Sequence, residues 1–338
     1  MKDSELILNN SPKIDGLRFR KFAGESDFPG MLALLRDAAV ADNDEVAFTL
    51  EGLQYDYAHL THSDPYQDMV MAEIHGALVA YSRVEWNQEE KSRHRIYFHL
   101  CKVHPQWRNQ GIEAALFEWN ESRLSAIAAA HPQDGLRFFQ TSSSEFQHVL
   151  NANLEAFGYT PQRYFIKMSR PLEAIPAADL PAGVEVRPVE KKDIKKIWRA
   201  SIEAFKDHWG FSEPKEEDFL TFKGSKFFQP ELWQVAWVGD EVVSSVMNYI
   251  DQDFNQKFNK KRGWTEDIST CKAWRRRGIA KALIVRSMQM HKERGMREVA
   301  LSVDTDNPTG ALKLYQDLRY EKYHTMVVFR KAFPSNTR

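Results

Sequence analysis

The sequence predicts an α/β protein made of two tandem copies of one domain plan. Three observations predict it. First, 338 residues suffice for two domains at roughly 150 residues each. Second, Gly16 and Gly183 open similar segments 167 residues apart, and the Trp-Arg-x-x-Gly-Ile runs holding Arg108 and Arg275 keep the same spacing. Third, the stretch between the halves carries Pro171, Pro176, Pro181 and Pro188, which withdraw backbone donors and favour a semi-extended linker. The expected domains are 1–172 and 183–338, with residues 173–182 joining them.

Each half reads in the same order. Gly16-Leu17-Arg18-Phe19-Arg20 precedes an acidic turn and the helical run MLALLRDAA. Gly183-Val184-Glu185-Val186-Arg187 likewise precedes Lys191-Lys192-Asp193 and IKKIWRASIEAF. Next come MVMAEIHGALVAYSRVEW and LWQVAWVGDEVVSSVMNYI, each broken by a short glycine-containing loop as a β-hairpin requires. In the second half the strand GWTEDIST is followed by the loop KAWRRRG. A helix then begins at Ile279, with Ala280, Leu283, Ile284 and Met288 at helical spacing and Gly295 as its stop. The following strand, EVALSVDTD, sets Val299, Leu301 and Val303 on one face.

Lys plus Arg number 46 and Asp plus Glu 47, a net charge of -1, so the basic excess that marks nucleic-acid binding is lacking. No apolar run reaches the ~18 residues of a membrane span. The start, MKDSELILNNSPK, lacks the long apolar stretch of a secretory signal. Cys101 and Cys271 have neither metal-site nor disulfide-framework spacing. A cytoplasmic protein without metal is expected.

The KAWRRRG loop offers a place for a diphosphate. A helix N-terminus presents unpaired N–H groups and partial positive charge. Gly278 admits close backbone approach, Ala280 keeps the first turn slim, and Arg275, Arg276 and Arg277 add donors. Arg275-x-x-Gly278-x-Ala280 after a strand resembles the acetyl-CoA pyrophosphate motif of the GNAT acetyltransferase superfamily. Asn307-Pro-Thr-Gly-Ala311-Leu-Lys-Leu314-Tyr315, followed by Leu318-Arg319-Tyr320, is similar to that superfamily's later segment. The resemblance covers residues from about 183 to 333, and more distantly the first half. The tandem layout is similar to that of mycothiol synthases.

The resemblance implies two mixed, mostly antiparallel twisted sheets flanked by helices, and transfer of an acetyl group from acetyl-CoA to a primary amine. It implies that Ile268 and Thr270 offer backbone donors near the thioester, with Arg275 to Ala280, Ile279 included, cradling the pyrophosphate. Asn307 binds the pantetheine arm or caps a helix, and Tyr315 protonates the leaving thiolate. Glu266, of the same strand parity as Ile268 and Thr270, is the expected base, with Asp267 as the competing choice. A solvated or ion-paired role for Glu266 and a packing role for Tyr315 are the plainer readings. Cys271 raises an acyl-cysteine route, but no partner histidine accompanies it. Asp207, His208 and Trp209, with Phe211, are the substrate-side candidates, suited to a small amine. Acetylation of a protein amine, or acyl-CoA binding without turnover, are the alternatives.

Two residues depart from the superfamily pattern: Arg319 stands where glycine is usual and Thr270 where valine is common. In the first half, Glu113 occupies the position of Ala280, and Leu154 stands at the position of Tyr315. A carboxylate repels a diphosphate there and leucine has no proton to give, so this half is expected to be non-catalytic.

Overall fold

The computed structural model describes residues 5–334, and its internal contacts resolve two units. Unit 1 holds the chain up to Arg163 together with residues from Met326 onward; unit 2 is Tyr164–Thr325. The boundary lies ahead of the proline-rich stretch, which falls within unit 2.

Unit 1 contains strands β1 (Glu5–Leu6), β2 (Leu17–Arg20), β3 (Met69–Ile74), β4 (Ala77–Gln88), β5 (Arg95–Val103) and β6 (Arg137–Ser144). They are neighbours in that order, all antiparallel except β5 with β6, which are parallel. Residues 326–332 pair antiparallel with the far side of β6. Helices α1 (Phe28–Ala41), α2 (Leu50–Ala58), α3 (Pro65–Asp68), α4 (Ile112–Ala129) and α5 (His148–Ala156) complete the unit. Leu116, Phe117 and Leu124 of α4 pack with Val70, Tyr97 and Phe139 of the strands in its core.

Unit 2 takes its strands from β7 (Thr160–Pro171), β8 (Glu185–Val186), β9 (Gln234–Val238), β10 (Glu241–Tyr249), β11 (Arg262–Thr270), β12 (Glu298–Asp304) and the start of β13 (Glu321–Ala332). The order β8–β9–β10–β11–β12–β7 is antiparallel except for the parallel pair β11–β12. Its helices are α6 (Ile194–Phe205), α7 (Glu216–Gly224), α8 (Gln252–Lys257), α9 (Ile279–Glu293) and α10 (Ala311–Asp317). The expected mixed, mostly antiparallel α/β plan is therefore found in both halves. Each half draws one flanking strand from a distant part of the chain: residues 326–332 beside β6, and β7 beside β12.

Three local features of unit 2 prepare the site. The side chains of α9 that are buried include Ala282, Leu283, Val285 and Met288, so the helix is anchored along one stripe and its N-terminus is held in place. Strands β11 and β12 pair only through Arg262–Trp264 and Glu298–Ala300, and beyond these residues they have no pairing. Third, β11 carries a bulge. Met247 opposes Glu266 and Ser245 opposes Ser269, so Asp267 and Ile268 together face Val246 alone. Asp267 takes the left-handed conformation (φ 45°) that such an extra residue demands. Sequence parity had grouped Glu266 with Ile268 and Thr270; the bulge shifts the phase and puts Glu266 on the face of Ser269 instead.

Candidate functional site

The loop before α9 starts from Gly278, whose φ of 81° is open to glycine at no steric cost. A Cβ placed there would meet nothing within 4 Å. Arg276, Arg277 and Gly278 are exposed. Among the described residues, the backbone N–H groups from Arg276 to Lys281 have no hydrogen-bond acceptor in the protein. Six free donors at one helix end, with two exposed guanidinium groups, constitute an anion cradle. Arg277 also lies over the Trp274 ring at 4.6 Å.

Arg275 behaves differently from the expectation that it binds phosphate. Its Nε donates to the Thr270 carbonyl at 3.2 Å and one terminal nitrogen to the Ala204 carbonyl at 2.9 Å, while the other pairs with Asp207 at 3.2 Å. The guanidinium thus ties the end of α6 to the end of β11. Arg108 does the same in unit 1, donating to the Val103 carbonyl and forking onto Asp42 at 2.5 and 2.9 Å.

Glu266 lies half-buried where β11 has left β12. Removal from water, and then the charge of neighbouring Asp267, push its carboxyl up to about 8, against the opposing pull of the Ser302 backbone N–H and Lys167. Tyr315, on α10, is 5% exposed and its ring meets Tyr320 at 6.0 Å. Its hydroxyl has no hydrogen-bond partner among the described residues. Burial raises the Tyr315 phenol far above its usual value, and the Glu266 charge adds to the effect. Tyr320 is fixed by its hydroxyl, 3.3 Å from Thr265 Oγ1. Thr270 binds Ser244 through its hydroxyl at 2.9 Å.

Asn307 accepts from the Thr309 backbone N–H and hydroxyl at 2.8 and 2.6 Å. It stabilises the turn that leads into α10, whose own N-cap is Gly310, so the expectation that it caps the helix directly is corrected. Arg319 adopts φ 63°, the conformation that its counterpart Gly158 holds at φ 82°; the arginine tolerates the strain that its position imposes.

The cleft of unit 2 and the expected substrate-side residues overlap only in part. Unit 2 has an open cleft of about 130 Å³ whose wall is Trp198, Phe205, Phe211 and Phe222, with Ile202 and Met247, and whose polar members are Ser201 and Asp267. Of the expected residues only Phe211 lines it. Asp207 pairs with Arg275 and Lys272, and His208 packs edge-on to Phe205 at 4.6 Å. Trp209 is half-buried outside the lining. A signal for this cleft existed in α6: Ile194, Ile197, Ser201 and Ala204 form its buried stripe, and a hydroxyl on that stripe is out of keeping with a plain core face.

The counterpart loop in unit 1 is closed by its own side chain. Glu113 is buried, and its Oε1 accepts the Asn109 backbone N–H at 3.2 Å. Burial pushes this carboxyl up, while the backbone N–H groups and Arg108 hold it down. His99, at the position of Glu266, is buried with Nε2 2.9 Å from the Tyr159 hydroxyl and Nδ1 3.2 Å from the Asn120 amide.

Residues 194–319 match the model of the acetyltransferase (GNAT) family. The match extends to both halves in a mycothiol acetyltransferase of Paenarthrobacter aurescens, 27% identical over 316 residues, 91% of this chain and 88% of that one. The chain is thus similar to tandem-domain GNAT acetyltransferases along most of its length, with the family model itself matched within its second half. A second mycothiol acetyltransferase, from Saccharopolyspora erythraea, is 25% identical over 84% of this chain and 90% of its own. A GCN5-related N-acetyltransferase from Sphaerobacter thermophilus superposes with a TM-score of 0.71 at 26% identity, covering 94% of this chain and 96% of that one. A tandem GNAT protein from the clavulanic acid pathway shares the fold, with a TM-score of 0.65, 14% identity and coverage of 95% and 100%. Among the described residues of this chain, no helix is long and apolar enough to cross a membrane.

Proposed function

We propose that unit 2 transfers an acetyl group from acetyl-CoA to a small primary amine, with Glu266 as general base and Tyr315 as general acid, and that unit 1 does not turn over. The observation that carries the reading is the pairing of a carboxyl poised near 8 with an unpartnered buried phenol, beside a helix N-terminus whose amides are free. Acetyl-CoA supplies the thioester. The free amides from Arg276 to Lys281 and the side chains of Arg276 and Arg277 hold its pyrophosphate.

The amine must lose a proton to attack. A basic amine of pKa ~10.4 is mostly protonated at neutral pH, and a carboxylate titrating near 8 accepts that proton well in the alkaline range. Backbone N–H groups at the bulge, near Ile268, and at Thr270 serve the developing oxyanion. Tyr315 then donates to the thiolate. The raised phenol makes this donation unfavourable while Glu266 is charged. Once Glu266 has taken the amine proton its charge is gone, one cause of the raised phenol disappears with it, and the acid strengthens as the leaving group forms. In unit 1, Glu113 engages the Asn109 loop amide and sets a carboxylate against an anion there, and Leu154 cannot donate a proton.

The test is calorimetric titration of acetyl-CoA into the full chain, alongside amine-dependent thiol release. One-to-one binding with thiol release that vanishes in Glu266→Gln supports the reading. Two-site binding, or release indifferent to that substitution, overturns it.

A further inference from the structure

We infer that the acceptor is a primary amine carried on a flat, uncharged apolar body, of the arylalkylamine class, bound along the aromatic cleft with its ammonium at Asp267. This rests on the acetyltransfer reading above and assigns the two adjacent carboxylates different tasks: Asp267 holds the ammonium and Glu266 removes its proton.

The cleft's composition carries the inference. Four aromatic rings with Ile202 and Met247 offer apolar surface, and only one hydroxyl and one carboxylate interrupt it. A sugar amine entering here would lose water from several hydroxyls and find almost no partners, which is a strong ground for rejection. A polyamine would bring more cations than the single lining carboxylate can match. A flat ring system stacks on the walls, and a cation among aromatic faces gains further attraction.

The position of the charge fits the same ligand. The bulge turns Asp267, exposed and left-handed, out of the strand's regular alternation, and its side chain lines the cleft. Met247, which also lines it, is the register partner of Glu266, so the floor leads from the apolar wall to the base. Ser201 supplies a second, independent pointer. It is 5% exposed, lines the cleft, and its hydroxyl has no hydrogen-bond partner among the described residues. A hydroxyl that lines the cleft and is not engaged by the protein can serve a ligand with one polar atom on its ring or chain.

The experiment uses the full chain with acetyl-CoA and follows thiol release with 2-phenylethylamine, tryptamine, glucosamine and spermidine. The expected result is a kcat/KM for the two aryl amines about 100-fold above those for the other two. Phe222→Ala and Asp267→Asn should each raise KM for 2-phenylethylamine about tenfold with little change in kcat. Glucosamine or spermidine matching the aryl amines, or KM unmoved in both variants, overturns the inference while leaving acetyltransfer intact. Calorimetric binding of 2-phenylethylamine without cofactor separates the two levels. Binding that Asp267→Asn weakens, with no thiol release from any amine, sustains the cleft assignment and overturns the acetyltransfer reading.

Discussion

The two units place different groups at matching points of one scaffold. At the helix N-terminus, unit 2 has Ala280 with free amides before it, whereas unit 1 has Glu113 folded back onto the Asn109 amide. On the central strand, unit 2 has half-buried Glu266 beside a bulge. Unit 1 has His99, neutral with its pKa pushed down to about 3 by burial, in a ladder that runs unbroken from Ala80–Val103 to Gln88–Arg95. On the last helix, unit 2 has Tyr315 where unit 1 has Leu154. The clamp that joins the first helix to the strand end is retained in both, through Arg275 and Arg108. The difference teaches that the clamp belongs to the fold, and that unit 1 uses the Glu113 carboxylate to engage the Asn109 N–H, whose counterpart at Arg276 is left free in unit 2.

The largest expected effect comes from moving unit 1's carboxylate into unit 2. Ala280→Glu should weaken acetyl-CoA binding about 100-fold or more by calorimetry, through repulsion and capture of the loop amides. Glu113→Ala should leave acetyl transfer within about twofold. Equal sensitivity of the two positions would erase the distinction between the units.

The parent should show kcat/KM rising as pH climbs through about 8, and Glu266→Gln should remove that rise and lower kcat about 100-fold. The same substitution tests stability. Glu266 keeps its proton in the folded state up to about 8 but loses it near the ordinary 4.5 when unfolded, so its protonated form favours folding and that contribution is lost as pH rises from 4.5 to 8. Thermal melts should therefore show Glu266→Gln gaining on the parent between pH 5 and pH 9; a constant gap would count against a raised carboxyl.

Tyr315→Phe should reduce kcat about tenfold to 100-fold with acetyl-CoA affinity kept. An unchanged kcat would return the ring to a packing role. The smallest effect concerns Arg319. Arg319→Gly should raise stability by up to about 1 kcal/mol in thermal or denaturant unfolding, since the left-handed backbone no longer carries a Cβ. A loss instead would mean that the arginine side chain stabilises the turn more than its backbone strains it.

Much of this was legible before any coordinates. The spacing of Arg108 and Arg275 exposed the duplication, because loop and helix-start residues answer to local backbone needs that recur wherever the plan recurs. Gly278, Glu113 and Leu154 could be compared for the same reason. The acceptor cleft was legible only in part. Phe211 stands out in its aromatic loop, but Trp198, Ser201, Phe205 and Phe222 come together from two helices, and no single window of sequence displays their common surface.

What the sequence by itself determined is the set of local preferences: the hairpins, the glycine-opened helix of unit 2, the proline-rich stretch and the chemistry available at each matched position. The tertiary structure alone decided where those groups point. The bulge at Asp267 exists only in register against β10, so strand parity could not foresee that Glu266 leaves the face of Thr270. The fork of Arg275 went to the end of α6 because carbonyl and carboxylate acceptors lie there in space. Strand pairing beside β6 and β12 joins residues far apart in the chain, and such partners are selected by packing of whole sheets, a nonlocal property that no local propensity encodes.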